Sequence, residues 1–69
     1  MAADTDRNLV EDGLATVPEG ASFLRISRAK LYQMMDAGDL AYVKFDRCRR
    51  IPWRVLKEYA AAKLVGGVA

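Results

Sequence analysis

Two hydrophobic periods follow one another along this chain, and each change of period marks an element. Residues 1–13 show neither period and read as a mobile acidic arm, with Leu9, Val10 and the following Leu14 available to dock on a core. The first firm signal is Thr16-Val17-Pro18-Glu19. It sets threonine at an N-cap, proline in the first turn and glutamate three residues after the cap, which is a helix start. The helix that follows offers Val17, Ala21 and Leu24 to a core, with Phe23 alongside. At about two turns it depends on tertiary packing. Ser27 forms a second N-cap after a break at Arg25-Ile26, and Ile26 is placed to plug the space between helices. Leu31, Met34 and Met35, at i, i+3 and i+4, predict an amphipathic helix from Arg28 to Gly38.

From Leu40 the period falls to two, with Val43 and Phe45 on one side and Tyr42 and Lys44 on the other. Arg50-Ile51-Pro52 is the available pairing partner, and Asp46-Arg47-Cys48-Arg49 between them has hairpin length. A last helix starts near Pro52 or Trp53 and carries Trp53, Leu56, Ala60 and Leu64 at roughly helical spacing, with Tyr59 beside them. Gly66-Gly67 is expected to end it. These elements predict an α+β fold. It is a small winged helix-turn-helix spanning residues 14–65, with two short helices, a β-hairpin wing and a C-terminal helix, and a flexible tail over 66–69.

At 69 residues this is one small domain with a marginal core, which excludes large clefts and two-domain enzymes. The absence of histidine removes the commonest general base and metal ligand. A single cysteine makes neither an internal disulfide nor a thiolate zinc site. No metal, cofactor or small-molecule substrate is therefore expected. No apolar run spans a bilayer and the N-terminus is acidic rather than signal-like, so a cytoplasmic setting without membrane association is expected.

Charge changes the picture more. Residues 1–24 carry one arginine, Arg7, against five carboxylates, whereas residues 25–57 carry nine cations against three carboxylates. So dense a basic block fits a polyanionic partner such as nucleic acid, and equally fits a solvated face that keeps a small protein soluble. Position in the fold has to decide.

Catalysis finds no support in the sequence. Ser27 is accounted for as a cap and has no base to activate it, while Cys48 sits among arginines at a hairpin tip that offers no pocket. DNA is better served. A helix-turn-helix lays its second helix in the major groove, and turning Leu31, Met34 and Met35 inward turns Ala29, Lys30, Tyr32, Gln33 and Asp36 outward. Arg28 flanks the helix start. Arginine and lysine donate to guanine and glutamine pairs with adenine. Asp36 would repel phosphate, which places the end of this helix away from the backbone. Arg47 and Arg49, uncompensated at a hairpin tip, are expected to meet a minor groove or its phosphates together with Arg50. Met34, Met35 and Trp53 are assigned to packing, and Arg54 and Lys57 to a solvated face.

Residues 14–59 resemble the excisionase-type winged helix-turn-helix family, related to the DNA-binding domains of MerR-like and AlpA-like regulators. The resemblance rests on Thr16-Val17, Ser27-Arg28, Leu31-Tyr32, Gly38-Asp39-Leu40, the basic run Arg47 to Arg50, and Arg50-Ile51-Pro52. It implies contacts to bases and phosphates from Arg28, Lys30, Tyr32 and Gln33, and wing contacts from Lys44, Arg47, Arg49 and Arg50. It further implies a non-enzymatic protein that binds and bends attachment-site double-stranded DNA and helps a site-specific integrase excise a mobile element; the opposite charges of the acidic arm and the basic block leave self-association along the DNA open. A small prophage-type transcription regulator on the same fold is the alternative, and a protein-interaction adaptor a more distant one. Arg25 stands where the family commonly has glycine, Asp46 where the wing often has glycine, and Ala41 where proline is common.

Overall fold

A computed structural model of the chain describes residues 12–66. Their order is β1 (Leu14–Thr16), α1 (Val17–Leu24), α2 (Arg28–Asp36), β2 (Val43–Phe45), β3 (Cys48–Pro52) and α3 (Trp53–Ala62). The acidic arm up to residue 11, with Leu9 and Val10, lies outside the described residues, as does the tail from residue 67.

Caps set both helix starts where the sequence places them. Thr16 Oγ1 accepts from the Glu19 backbone N–H at 3.2 Å, and Glu19 Oε1 accepts from the Thr16 N–H at 2.8 Å, closing a capping box. Ser27 Oγ accepts from the Lys30 N–H at 3.0 Å. The ends are built alike. After α1 the Ile26 N–H donates to the Ala21 carbonyl and the Arg25 N–H to that of Ser22; after α2 Asp39 donates to Met34 and Gly38 to Met35. Both patterns are Schellman motifs, which need a left-handed residue just past the helix. Gly38 adopts it with φ 82°, and Arg25 does so with φ 57°.

That conformation strains any residue with a Cβ. Arg25→Gly is therefore expected to stabilise the fold by about 1 kcal/mol, strain relief outweighing the extra freedom of the unfolded chain. A thermal melt checks this, and an unchanged or lowered midpoint would contradict it.

The three strands form one antiparallel sheet in the order β1-β3-β2. Leu14, Ala15 and Thr16 face Pro52, Ile51 and Arg50, while Val43, Lys44 and Phe45 face Arg50, Arg49 and Cys48. The sequence reading contains no β1: three residues are too few to show alternation, and the pairing that makes them a strand lies far along the chain. A further bond, Trp53 N–H to the Gly13 carbonyl at 3.1 Å, carries the pairing one step past the strand.

Ala15, Val17, Ala21, Leu31, Met34, Met35, Leu40, Ile51 and Leu56 form the core. Gly20 of α1 is buried over this core, facing Ile51, Leu31 and Leu56. Leu24, Ile26, Trp53 and Tyr59 pack at its margin, and Trp53 meets Phe23 edge-on at 5.8 Å.

Several expectations are corrected. The strand begins at Val43, so Leu40 is buried outside it. The link shrinks to Asp46-Arg47, and Cys48 and Arg49 join β3. Tyr42 packs against the core while Phe45 is 53% exposed, since it lies beyond the last core layer. The last helix stops at Ala62 rather than at the glycines. Ala60 and Leu64 are exposed, with no element among the described residues covering them.

Candidate nucleic-acid interface

Burying Leu31, Met34 and Met35 leaves Arg28, Ala29, Lys30, Tyr32, Gln33 and Asp36 exposed on α2, as the spacing predicts. The two flanks differ. Lys30 borders a shallow groove with Leu24, Ile26, Met34, Tyr59 and Lys63, on the side of α3. Tyr32 lies on the opposite flank, toward the hairpin of β2 and β3. Gln33 stands between, on the outward face. Arg28, Lys30 and Gln33 are thus all exposed on the second helix, with Lys30 on its α3 flank.

The hairpin turns at Asp46-Arg47, with Asp46 in the left-handed region at φ 53°. A short polar residue tolerates that conformation better than most, so aspartate can stand in for glycine there. Arg47 is exposed at the tip. Lys44 opposes Arg49 across the strands, and Arg50 lies between Val43 on one side and Thr16 on the other. Arg50 Nη1 donates to the Arg49 carbonyl at 2.9 Å. Thr16, Val17, Pro18, Tyr32, Arg47, Cys48, Arg49 and Arg50 line an open cleft of about 410 Å³ between the hairpin, α1 and α2. Three arginines from the hairpin therefore share this cleft with Tyr32 of the second helix and the start of α1.

Arg49 is not uncompensated, contrary to the sequence reading. Its Nη1 lies 3.1 Å from Asp36 Oδ1, and its guanidinium carbon lies 5.2 Å from the Tyr32 ring centroid and 4.8 Å from that of Tyr42. Asp36 is accordingly paired within the domain. Arg54 and Lys57, expected as solvated charges, stand 3.9 and 4.0 Å from the Asp12 carboxylate, a loose and exposed pairing of small energetic weight.

Glu19 borders the same end of α1. Its carboxyl is held below the ordinary value of 4.5, first by the Thr16 backbone N–H, then by the Thr16 side chain, with a smaller contribution from Arg50. A lowered folded-state value means a stabilising contribution that is complete above 4.5 and lost as pH falls through the folded value. Urea melts between about pH 3 and 5 should show stability falling on acidification, and falling less in Glu19→Gln. Parallel curves for the two proteins would contradict this.

Comparison with known proteins fits this geometry. The family described as "Helix-turn-helix domain" matches residues 16–64. The chain is also similar to a protein of Streptomyces ambofaciens named "Excisionase", 33% identical over 51 residues that make up 74% of this chain and 82% of that protein. The chain belongs to the excisionase-type helix-turn-helix family. A protein of Saccharopolyspora erythraea named "Probable excisionase" is 38% identical over 55 residues, 80% of this chain. The chain spans only 56% of that relative's length. No solved structure matches.

In this excisionase-type domain the second helix of the pair is α2 and the wing is the β2–β3 hairpin. Arg28, Lys30, Tyr32 and Gln33 lie on the exposed side of that helix, and Lys44, Arg47, Arg49 and Arg50 on that hairpin, as the sequence pattern implies. The pattern misses Tyr42, which joins Tyr32 around Arg49, and the partnership of Asp36 with Arg49. The one available signal was the strand register, since a two-residue turn would have put Arg49 opposite Lys44 and on the side of Tyr42.

Proposed function

We propose that this protein is a DNA-binding excisionase, which lays α2 in the major groove and the wing on the adjacent minor groove and phosphates of attachment-site DNA. The observation that carries the reading is the open cleft in which Arg47, Arg49 and Arg50 of the wing meet Tyr32 of α2 and the start of α1, on a helix-turn-helix scaffold of this family. Arg28, Lys30, Tyr32 and Gln33 serve the helix, with Gln33 toward base edges. Lys44, Arg47 and Arg50 serve the wing and read phosphate and groove shape.

Binding of helix and wing together bends the duplex, and the added contacts offset the cost of bending. The chemistry of strand exchange then belongs to an integrase, with this protein setting its direction and contributing no catalytic group. Kinship with two proteins named as excisionases supports this role.

A salt titration on duplex DNA tests the binding. About six phosphate contacts give log K a slope near −5 against log[salt], and a flat response would contradict an electrostatic interface. Arg47→Ala should reduce the magnitude of that slope by about one and leave the selected base motif unchanged. An altered motif at unchanged affinity would contradict its assignment to phosphate and groove shape.

A further inference from the structure

Arg49 is placed differently from the other wing arginines. Arg47 projects from the turn, whereas the Arg49 side chain is only 23% exposed and reaches back to α2. There it bonds Asp36 and lies against the rings of Tyr32 and Tyr42. The contacts join the recognition helix, the approach to β2 and the central strand β3, three segments that no other side-chain hydrogen bond among the described residues connects.

We propose that Arg49 is a positioning residue rather than a DNA contact: it ties the wing to α2 and holds both at the angle at which they engage one duplex. The inference rests on the DNA-binding reading. Its chemistry is specific to arginine. A planar guanidinium can bond a carboxylate in its plane while presenting its faces to aromatic rings, whereas a lysine ammonium is a compact, strongly hydrated charge. The arrangement also resolves the placement of Asp36. This carboxylate sits on the exposed side of the helix that approaches DNA, where it would repel phosphate, and Arg49 neutralises it from within the domain. Charge and geometry are thus settled before DNA arrives, so that less ordering is left for the binding step.

The test compares wild type, Arg49→Lys and Asp36→Asn on one attachment-site duplex, at a temperature where circular dichroism shows all three folded. Hydroxyl-radical footprinting is read alongside affinity. Arg49→Lys keeps the charge and is expected to bind about tenfold more weakly, as the two ring contacts are lost. Protection by the wing should fade while protection by α2 persists, a change that loss of stability alone does not produce. Asp36→Asn should also bind more weakly, although it removes a negative charge from the DNA-facing helix. In the NMR spectrum of the free wild type, the Arg49 Nε–H signal should be displaced by the two rings and stay in place when DNA is added.

Arg49→Lys binding as tightly as wild type, or Asp36→Asn binding more tightly, would overturn the proposal and make Arg49 a phosphate contact. Failure of the wild type itself to bind DNA is a different result. It would remove the DNA-binding reading and the positioning role together.

Discussion

Leu31→Ala is expected to leave most of this protein unfolded at physiological temperature. Leu31 is completely buried at the point where α1, α2, β3 and α3 converge, with Gly20, Ile51 and Leu56 around it. Truncating a leucine in such a site costs about 2–5 kcal/mol, the lost transfer energy and the cavity together. A core of this size supplies only about 3–5 kcal/mol in all. With a single cysteine, no internal disulfide makes up the difference. A urea melt followed by circular dichroism checks this, and Met34→Leu serves as the control. That nearly volume-conserving change in the same layer should cost less than about 1.5 kcal/mol. A Leu31→Ala midpoint close to wild type would mean that the core is not organised around this residue.

Gln33→Ala is expected to leave the fold intact and change what DNA the protein selects. Gln33 is exposed on the outward face of α2, between the flank of Lys30 and the flank of Tyr32, and it makes no side-chain hydrogen bond among the described residues. Its amide is free to pair with an adenine edge, which is worth about 1–3 kcal/mol of discrimination. Selection from a randomised duplex library should show preference lost at one or two base pairs, with the rest of the motif unchanged. An identical selected motif would contradict a base-reading role. The contrast with Arg47→Ala is informative, because one substitution acts on sequence preference and the other on salt dependence.

Much of this architecture was legible in local sequence because its signals act within a few residues. Thr16, Glu19 and Ser27 cap helices through bonds spanning three residues, and Leu31, Met34 and Met35 face inward through helical periodicity alone. What was not legible depends on distant partners. Leu14–Thr16 is a strand only because β3 lies beside it. Alternation over residues 40–45 defines two faces, but the docking of the hairpin decides that Tyr42 turns in and Phe45 out. Leu64 continues the apolar period of α3 past the helix end, where the core of the described residues does not reach it.

The site divides along the same line. The residues of α2 were placed by period and the basic wing by composition, so the surface they form could be anticipated. Arg49 could not be assigned in this way. Its partner Asp36 lies 13 residues earlier, and the pair forms only when turn length, strand register and helix orientation are all correct. A charge near a hairpin tip is ambiguous until those are known. The same arginine can reach outward to phosphate or inward to a carboxylate.

In the proposed function α2 and the wing act together on attachment-site DNA. This joint action is measured by titrating the protein onto a dye-labelled duplex carrying the attachment site from its own genomic neighbourhood, with affinity and end-to-end distance read in one experiment. Cooperative binding accompanied by a marked bend is expected. Tight binding to a promoter duplex without bending of attachment-site DNA would contradict the excisionase role in favour of a transcription regulator, and no binding to either at low salt would contradict the DNA-binding surface itself.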